Sequence, residues 1–417
     1  MKENHEEYKK DVKEFRSSYS RPGSEVDLEE FEEAASAVKP DPEPKKKTSK
    51  ESGKKDKKKK KGLLIALLVA GAVLLLVLIA AVGTFLYFYN RSSYEKDESS
   101  YSLDPSEIAS VETIDPSGLF PGGVFPFDPA APSQTDEAGS VLPSYEGPTL
   151  APSPDGETKP VQEIIQPAQP VPVKSEVYNL LLIGVDREGQ KGTNSDTMIL
   201  VSINKNKKTL TLTSVMRDSA ANIPGVGFTK INSAFAVGGF NVGAQLLCDT
   251  LRNNFGFPIN NYAWVNFGNM KTIMDMIGGV DIQLTVKEAK RLGITIDSPQ
   301  VVHLTGAQAL SYSRDRSSGG SDYGRTQRQR NVIQAVLQKA RSGGLGDLVS
   351  LANAILPYIH HNIDAGTFAS LLMNVGEYVK YGVQELRIPI NGSYYSYREN
   401  LIMDFQVNSN AWRNLVY

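Results

Sequence analysis

Two aspartates, Asp186 and Asp196, stand next to predicted β-strands, and paired carboxylates at a sheet edge can hold a metal ion. Asp186 follows an apolar run that ends at Val185, and Asp196 comes directly before a run that begins at Thr197. Ligands of α/β sheets gather at the carboxyl ends of strands. Mg²⁺ suits such a place because it binds one or two carboxylates and takes its other ligands from phosphate and water. The alternative, that Asp196 only caps a turn, is at least as compatible with this pattern.

Arginine is the second residue type that indicates chemistry, and five arginines fall between residues 314 and 330. A guanidinium group binds two phosphate oxygens side by side, so arginine accumulates where a phosphate must be oriented. Arg325 and Gln329 are four residues apart and share one helix face, close to a helix N-terminus that itself favours an anion. We therefore predict an anion site that includes Arg314, Arg316 and Arg325.

The remaining arginines give weaker signals. Arg328 and Arg330 are interpreted as a solvated basic face of the same helix. Arg217 and Asp218 follow a predicted strand, where an arginine can simply pair with the neighbouring carboxylate. The pair Arg217-Asp218 is therefore a candidate for the site only in combination with the other residues.

The elements that must position these residues are predicted from apolar periodicity. Val177–Val185 reads as a strand buried on both faces, and Thr197–Ile203 and Thr209–Val215 read as a hairpin. A long helix is predicted over Asp322–Ala340, with Asp322 as its N-cap. The other predicted helices are Lys230–Val237, Val242–Asn254, Met270–Ile277, Leu345–Ile359 and Asp364–Tyr381, and the other strands are Tyr262–Phe267, Val280–Leu284 and Glu385–Pro389. Strands that alternate with helices predict a layered α/β or α+β sheet, and we expect an αβα arrangement with a mixed sheet.

Charge is distributed in blocks although the whole chain is nearly neutral, with 45 Lys and Arg against 47 Asp and Glu. Residues 45–62 carry 11 lysines and two acids, and Leu63–Tyr89 contains no charged residue. Twenty apolar residues make a helix of about 30 Å, which matches the hydrocarbon core of a bilayer. We predict a transmembrane helix over residues 63–89, and the positive-inside rule places residues 1–62 in the cytoplasm and the rest outside.

The remaining chain is predicted to be a linker followed by one domain. Residues 90–175 hold 14 of the 23 prolines and few apolar runs, so we expect a disordered extracellular stalk. Residues 1–62 are expected to be disordered as well, and residues 176–417 are long enough for one sizeable core. The single cysteine, Cys248, excludes an intramolecular disulfide framework. The charge blocks exclude nucleic-acid binding that is driven by bulk charge.

Eight stretches in this order resemble the LytR-CpsA-Psr family of bacterial cell-envelope proteins, with a motif core over residues 177–340 and C-terminal helices over residues 341–417. They are Leu180–Asp186, Ser195–Asn204, Met216–Asp218, Lys230–Phe235, Val265–Phe267, Ile277–Asp281, Leu304–Arg314 and Asp322–Gln329. A series of this length is far more specific than a single motif.

The resemblance implies a Mg²⁺-dependent phosphotransferase. Such an enzyme moves a glycopolymer, of the wall teichoic acid or capsular polysaccharide type, from a polyprenyl pyrophosphate carrier to peptidoglycan. By the same resemblance, Asp186 and Asp196 would hold Mg²⁺, and the pyrophosphate would be bound by Arg217, Arg314, Arg316, Arg325 and Gln329. A nearby carboxylate would take the proton of the attacking hydroxyl group, and Asp218 and Asp196 are the two candidates.

One departure from the family pattern leaves alternatives open. Asn194 stands where the family usually has an arginine, two residues before the second aspartate, and Arg187 is a possible substitute. The chain could therefore be a non-catalytic protein that binds polyprenyl pyrophosphate or a polymer, or a hydrolase of polyprenyl pyrophosphate. A transcription-linked role is disfavoured, because no helix-turn-helix is apparent and the phosphate-site residues are expected outside the membrane.

Overall fold

A computed structural model describes residues 87, 89–90, 92–95, 101–115, 165–186, 192–343 and 355–417. Among these residues, no helix combines the length and the hydrophobicity of a membrane span. The predicted transmembrane segment, residues 63–89, lies almost entirely outside the described residues. Residues 1–62 lie entirely outside them. Most of the predicted helix Leu345–Ile359 lies outside them too, and its described end is a 3₁₀ turn over Leu356–Tyr358.

The described chain forms thirteen strands and eight α-helices. The strands are β1 Ser93–Tyr94, β2 Val177–Val185, β3 Ser195–Asn204, β4 Thr209–Val215, β5 Ala220–Ile223, β6 Gly227–Lys230, β7 Asn261–Asn266, β8 Val280–Leu284, β9 Gln300–Leu304, β10 His360–His361, β11 Gly382–Ile388, β12 Tyr394–Tyr397 and β13 Asn400–Met403. The helices are α1 Pro105–Ala109, α2 Ser233–Phe255, α3 Phe267–Met276, α4 Val286–Arg291, α5 Gly306–Arg314, α6 Ser321–Ser342, α7 Ala365–Tyr378 and α8 Phe405–Val416.

Seven strands form one mixed sheet in the order β1-β10-β7-β2-β3-β4-β11. The centre of the sheet is the antiparallel run β2, β3 and β4. Its strands β3 and β4 are the predicted hairpin. β7 joins β2 in parallel and β11 joins β4 in parallel. The ends of β2, β4 and β7 therefore lie at one edge of the sheet, which is where a ligand site is expected.

The two faces of the sheet pack against different helices. On β2, Leu181 and Ile183 enter the largest core cluster, which also contains residues of α2 and α8 such as Leu247 and Trp412. Leu180, from the opposite face, packs in a separate cluster with Phe368 of α7. This confirms a mixed α/β sheet between helix layers. β2 is not buried equally on both faces, however, because its residues alternate strictly between buried and half-buried.

The start of one predicted helix and the end of the chain need correction. Lys230 ends β6 instead of starting a helix. The two predicted helices, Lys230–Val237 and Val242–Asn254, otherwise correspond to the two halves of α2, which is kinked at Gly239 (φ 60°, ψ −160°). Beyond Pro389, where no element is predicted, β12 and β13 form a hairpin and α8 closes the domain. The strands of that hairpin are four residues long, too short for periodicity to reveal.

Parts of the predicted stalk, residues 90–175, are bound to the domain, so the expectation of a linker that buries nothing is wrong for these parts. Residues 101–115, called the strap below, pack Leu103, Ile108 and Val111 against the main core cluster. The Tyr101 hydroxyl also donates to Asp249 Oδ2 at 3.0 Å. The apolar residues of the strap are few, but the domain supplies a complementary apolar surface that the linker composition does not reveal.

Candidate functional site

A cleft of about 330 Å³ lies at the sheet edge, and it is lined by Asp196, Arg217, Phe267, Arg314, Arg316, Arg325 and Gln329. Six of these seven residues are candidates from the sequence. The two remaining candidates contact the lining residues: Asp186 lies 3.5 Å from Arg314 Nη2 and Asp218 lies 3.4 Å from Arg217 Nε. The structure thus brings together all eight predicted site residues.

Asp196 owes its position to a β-bulge between β2 and β3. Gly184 pairs with Thr197 and Val185 pairs with Ser195, so Asp196 is the extra residue in this register shift. A bulge bends the strand and re-aims one side chain, and bulges are common beside active sites. The alternative that Asp196 only caps a turn is therefore wrong, because Asp196 lies within β3 and lines the cleft.

Arg217 links the carboxylates of the site. It follows β4, and its Nη1 atom donates to Asp196 Oδ1 at 2.7 Å while its Nε atom faces Asp218. Its side chain is about one-fifth exposed, so these charges are partly shielded from solvent. Gln329 completes this side of the cleft, where its amide lies 3.5 Å from the carbonyl oxygen of Asp196.

Phe267 is a lining residue that the sequence reasoning did not identify as a site residue. It begins α3 directly after β7, and the guanidinium carbon of Arg314 lies 4.5 Å from the centre of its ring. A cation over an aromatic face is held electrostatically, which restricts the rotamers of an otherwise half-exposed arginine. An aromatic residue at a strand end beside the motif residues is the signal that could have revealed it.

Asp322 is not the N-cap of the long helix. α6 begins at Ser321 after Gly320, which adopts a left-handed conformation (φ 73°), and no side chain caps the helix. The carboxylate of Asp322 instead lies among three arginines, 3.0 Å from Arg316 Nε, 3.6 Å from Arg325 Nη2 and 3.7 Å from Arg217 Nε. The sequence analysis assigned Asp322 to the N-cap and missed it as a site residue.

Arg325 is the most buried cation of the cleft, with 4% of the residue exposed. Burial, together with the nearby positive charge of Arg217, lowers its pKa to about 10, although Asp322 opposes this shift. An anion that enters the cleft would relieve both unfavourable effects. Arg325 is therefore prepared to bind negative charge, as its place in the first turns of α6 predicts.

Arg328 and Arg330 do not form a solvated basic face, and this interpretation is wrong. Arg328 donates to Glu288 Oε1 at 2.8 Å, and also to the carbonyl oxygens of Asp315 and Gly319 in the loop that carries Arg316. Arg330 donates to Glu385 of β11 and to Ser214 of β4. Both residues are buried where α6 packs against α5, β8 and β4, so they hold the helix and its loop in place.

The donor set of the cleft fits Mg²⁺ but does not form a complete protein cage. Among the described residues, no three His, Cys, Asp or Glu side chains cluster as metal ligands. Asp186, after β2, and Asp196, on the bulge of β3, are hard oxygen donors at adjacent strand ends. Two carboxylates with phosphate oxygens and water as the other ligands are the usual Mg²⁺ environment. Asn194 is exposed nearby, and Arg187 lies outside the described residues.

Comparison with known proteins gives a consistent family assignment. The model of the "LytR_cpsA_psr family" matches residues 154–415 of the chain. A relative from Bacillus anthracis, named polyisoprenyl-teichoic acid–peptidoglycan teichoic acid transferase TagU, is 32% identical over 229 residues, which are 52% of this chain and 71% of the relative. The protein of the same name from Oceanobacillus iheyensis is 33% identical over 250 residues, 57% of this chain and 73% of the relative.

Among solved structures, one described as TagT bound to LIIa-WTA is 22% identical to this chain, with a TM-score of 0.47. The alignment covers 58% of this chain and 91% of that one. This likeness is too distant to support an inference about a ligand.

Proposed function

Since this chain belongs to the LytR_cpsA_psr family, we propose that it transfers an anionic glycopolymer from a polyprenyl pyrophosphate carrier to peptidoglycan. The names of the curated relatives, which contain polyisoprenyl-teichoic acid and peptidoglycan, support this donor and this acceptor. The observation that carries the proposal is the convergence of four arginines, Gln329 and Asp196 on one cleft. That set suits a pyrophosphate better than any neutral or cationic ligand.

The arginines have the central role in the proposed reaction. Phosphoryl transfer needs charge neutralisation and in-line positioning more than covalent help from protein. Arg217, Arg314, Arg316 and Arg325 would neutralise the pyrophosphate oxygens as the lipid phosphate leaves, and Gln329 would orient the anion. A sugar hydroxyl of peptidoglycan would attack the phosphorus that bears the polymer, so that one P–O bond forms as another breaks.

Asp186 and Asp196 would hold Mg²⁺ as a cofactor. When bound, the ion would polarise the phosphoryl oxygens and draw charge from the leaving group. Each carboxylate now has an arginine neighbour, Arg314 beside Asp186 and Arg217 beside Asp196. These contacts support the proposal, because they show that both carboxylates attract positive charge. Loss of transfer on chelation, with recovery on addition of Mg²⁺, is the result expected for this cofactor.

The proposed setting is the outer face of a cell membrane of the Gram-positive type. Residues 63–89 would anchor the chain in a single pass, with residues 1–62 in the cytoplasm and the domain outside, where peptidoglycan lies. The apolar run and the adjacent block Lys57–Lys61 support this orientation.

The test uses the full-length chain in detergent with a short polyprenyl-pyrophosphate-linked saccharide and peptidoglycan fragments. Arg314→Ala is expected to lower transfer about 100-fold or more, because removal of one group that stabilises transition-state charge has effects of that order. Arg413→Ala, on the exposed side of α8, is the matched control and should match the wild type.

Two other outcomes would replace the proposed function. Tight binding of the lipid with no broken phosphate bond, across several acceptors, would establish a binding protein. Release of the saccharide phosphate to water without attachment to peptidoglycan would establish a hydrolase.

A further inference from the structure

The chain that closely follows the predicted membrane span is part of the main sheet. β1 pairs in parallel with β10 at one edge of that sheet. The Ser93 amide donates to the carbonyl oxygen of Ile359 at 3.4 Å, and the Glu95 amide donates to that of His361 at 2.6 Å. The chain therefore enters the domain as an edge strand and not as a free linker.

The side chain of Glu95 fastens this strand to its neighbours. Its Oε1 atom accepts a hydrogen bond from Trp264 Nε1 at 2.9 Å, and its Oε2 atom accepts one from the Tyr262 hydroxyl at 3.0 Å. His360 Nδ1 lies 3.3 Å from Oε1, and the His360 ring stacks on Trp264. Because only about one-fifth of the Glu95 side chain is exposed, these contacts are shielded from water and fix the point at which the chain joins the domain.

Tyr89, the last residue of the predicted membrane span, packs on α7. The centre of its ring lies 5.8 Å from that of Phe368 and 6.0 Å from that of Tyr94. It belongs to the same apolar cluster as Leu371 and Leu372. The end of the predicted span is thus attached to both β1 and α7.

The length of the apolar run gives the expected depth of Tyr89 in the bilayer. The twenty residues Leu63–Val82 make a helix of about 30 Å, which fills the hydrocarbon core. Seven residues remain up to Tyr89, and in a helix they add about 10 Å. The headgroup region of one leaflet is about 5–8 Å thick. Tyr89 is therefore expected at the outer surface of the headgroups, with α7 beside it.

α7 has the composition of a helix with an apolar neighbour. Of its 14 residues, only Phe368 and Tyr378 are buried and only Glu377 is charged. A helix that faces water normally carries charged residues on its outer face. Met373, which follows Leu372, is instead 79% exposed.

We propose that the surface formed by Tyr87, Tyr94 and the Met373 side of α7 rests on the headgroups of the outer leaflet. The two tyrosines are 53% and 45% exposed, and tyrosine is enriched at membrane interfaces because its ring is apolar and its hydroxyl is polar. This inference rests on the single-pass anchor of the proposed function and adds a phospholipid-binding surface to it. The cleft is then held close to the membrane in which the polyprenyl carrier lies.

The proline-rich segment does not separate the domain from the membrane in this arrangement. Before residues 116–164, the strap is packed on the core. After them, the amides of Ala168 and Val171 donate to the carbonyl oxygens of Asn254 and Gly256, both at 2.9 Å. Both ends of the segment are bound to the same domain, so its length does not set the distance between the cleft and the bilayer.

The first test measures lipid contact of the full-length chain in nanodiscs of phosphatidylglycerol and phosphatidylethanolamine. Met373→Cys and Arg413→Cys each carry a fluorescent maleimide, and the buried Cys248 stays unlabelled. Arg413 is the matched control, since it is exposed on α8, which packs on the opposite face of the sheet. Lipids with a nitroxide on the headgroup should reduce the emission at Met373→Cys about twofold or more and leave Arg413→Cys nearly unchanged.

The second test separates the domain from the bilayer without a change in its fold. Twenty Gly and Ser residues inserted after Asn90 leave the β1 pairs intact and add an average reach of about 25 Å. We expect the quenching at Met373→Cys to fall to the level of the control. Transfer from a long-chain donor in the bilayer should fall about tenfold, because the cleft is no longer held beside it. Transfer from a short, water-soluble donor should not change.

Three results would overturn the proposal or leave it standing alone. Equal quenching at Met373→Cys and Arg413→Cys would show that α7 does not contact lipid. If iodide cannot reach the Met373→Cys probe in the insertion variant, another part of the chain or a second copy covers α7, and the proposal is wrong. If the wild type transfers from neither donor while its Met373→Cys probe is quenched, the proposed function fails and the lipid contact is still established.

Discussion

Arg325 and Arg328 lie three residues apart on α6, yet their environments separate an anion-binding residue from a structural one. Arg325 lines the cleft beside three other cationic residues. Arg328 is 6% exposed and makes hydrogen bonds to Glu288 and to two carbonyl oxygens of the α5–α6 loop. Substitution of Arg325 should therefore weaken ligand binding, whereas substitution of Arg328 should lower the stability of the fold.

Arg328→Met is expected to lower the free energy of unfolding by about 3–5 kcal/mol, because it leaves the charge of Glu288 buried without its partner. Urea unfolding followed by the fluorescence of the buried Trp264 and Trp412 would measure this loss. The double variant Arg328→Met with Glu288→Met should recover most of it, since well-packed apolar residues often replace a buried ion pair without a net cost. A double variant no more stable than Arg328→Met would contradict this account.

The residue types of the site could be predicted from the sequence, but the partners of individual residues could not. Asp186, Asp196, Arg217, Arg314 and Gln329 reach the site as the strand ends and helix spacing predict. Glu288, by contrast, is 40 residues from Arg328, and Glu385 is 55 residues from Arg330. Asp322 was misassigned because an acid at a helix start fits a cap as well as it fits an ion pair.

At the scale of elements, the start of α6 is held by a close backbone approach. A Cβ atom on Gly324 would collide with the carbonyl oxygen of Gly319, in the loop that joins α5 to α6. Gly324 lies between Asp322 and Arg325, so any shift that relieves the collision must move the site residues. Only glycine permits this approach.

Gly324→Ala is therefore expected to reduce transfer at least tenfold and to weaken pyrophosphate binding, although alanine favours helices. Gly376→Ala in α7 is the matched control, because a Cβ atom there meets open space. It should leave transfer unchanged and raise stability by about 0.5–1 kcal/mol, the usual gain from alanine over glycine in a helix. Equal activity of the two variants in the transfer assay would show that the α6 start tolerates movement.

The strap, residues 101–115, connects two elements of the domain, α2 and β6. It packs on the core beside α2, and it also contacts β6, where the Ile114 amide donates to the carbonyl oxygen of Phe228 at 2.7 Å. The Thr229 hydroxyl donates back to the carbonyl oxygen of Glu112 at 2.8 Å. Because β6 ends at Lys230, whose Nζ atom lies 3.4 Å from the Asp218 carboxylate, the strap supports a contact of one candidate site residue.

Ile108→Ser should lower the free energy of unfolding by about 1–2 kcal/mol, because a partly buried apolar side chain is replaced by a polar one. The neighbouring Ala109 is exposed, so Ala109→Ser introduces the same residue type without loss of packing and should change stability little. Urea unfolding of both variants measures the difference. Equal stability would mean that the strap does not contribute to the fold.

The elements themselves were predictable where pairing is local. β3 and β4 are joined by a short turn, and their periodicity defines both strands within two residues of the structure. β12 and β13 were missed because they are only four residues long. α8 was missed because it derives its burial from distant residues, Phe255 and Phe257, which pack against Phe405 and Trp412. The strap was missed for the same reason, because the surface that covers it is formed by α2 and β6.

At the scale of the whole molecule, orientation across a membrane decides whether the proposed reaction can occur. Peptidoglycan lies outside the cytoplasmic membrane, so the cleft must be outside as well. In the proposed topology, the block Lys57–Lys61 directly precedes the apolar run in the sequence, and the positive-inside rule predicts that this end is cytoplasmic. An inverted chain would carry the same cleft without access to its acceptor.

The cysteine content of the chain makes this orientation directly testable. Cys248, the single cysteine, is fully buried in the core. Wild-type chains in intact protoplasts should therefore stay unlabelled by a membrane-impermeant maleimide. Glu399→Cys, at a position whose side chain is 87% exposed, should be labelled in intact protoplasts, whereas Ser17→Cys should be labelled only after lysis. Labelling of Ser17→Cys but not Glu399→Cys before lysis would invert the topology and remove the proposed acceptor from reach of the cleft.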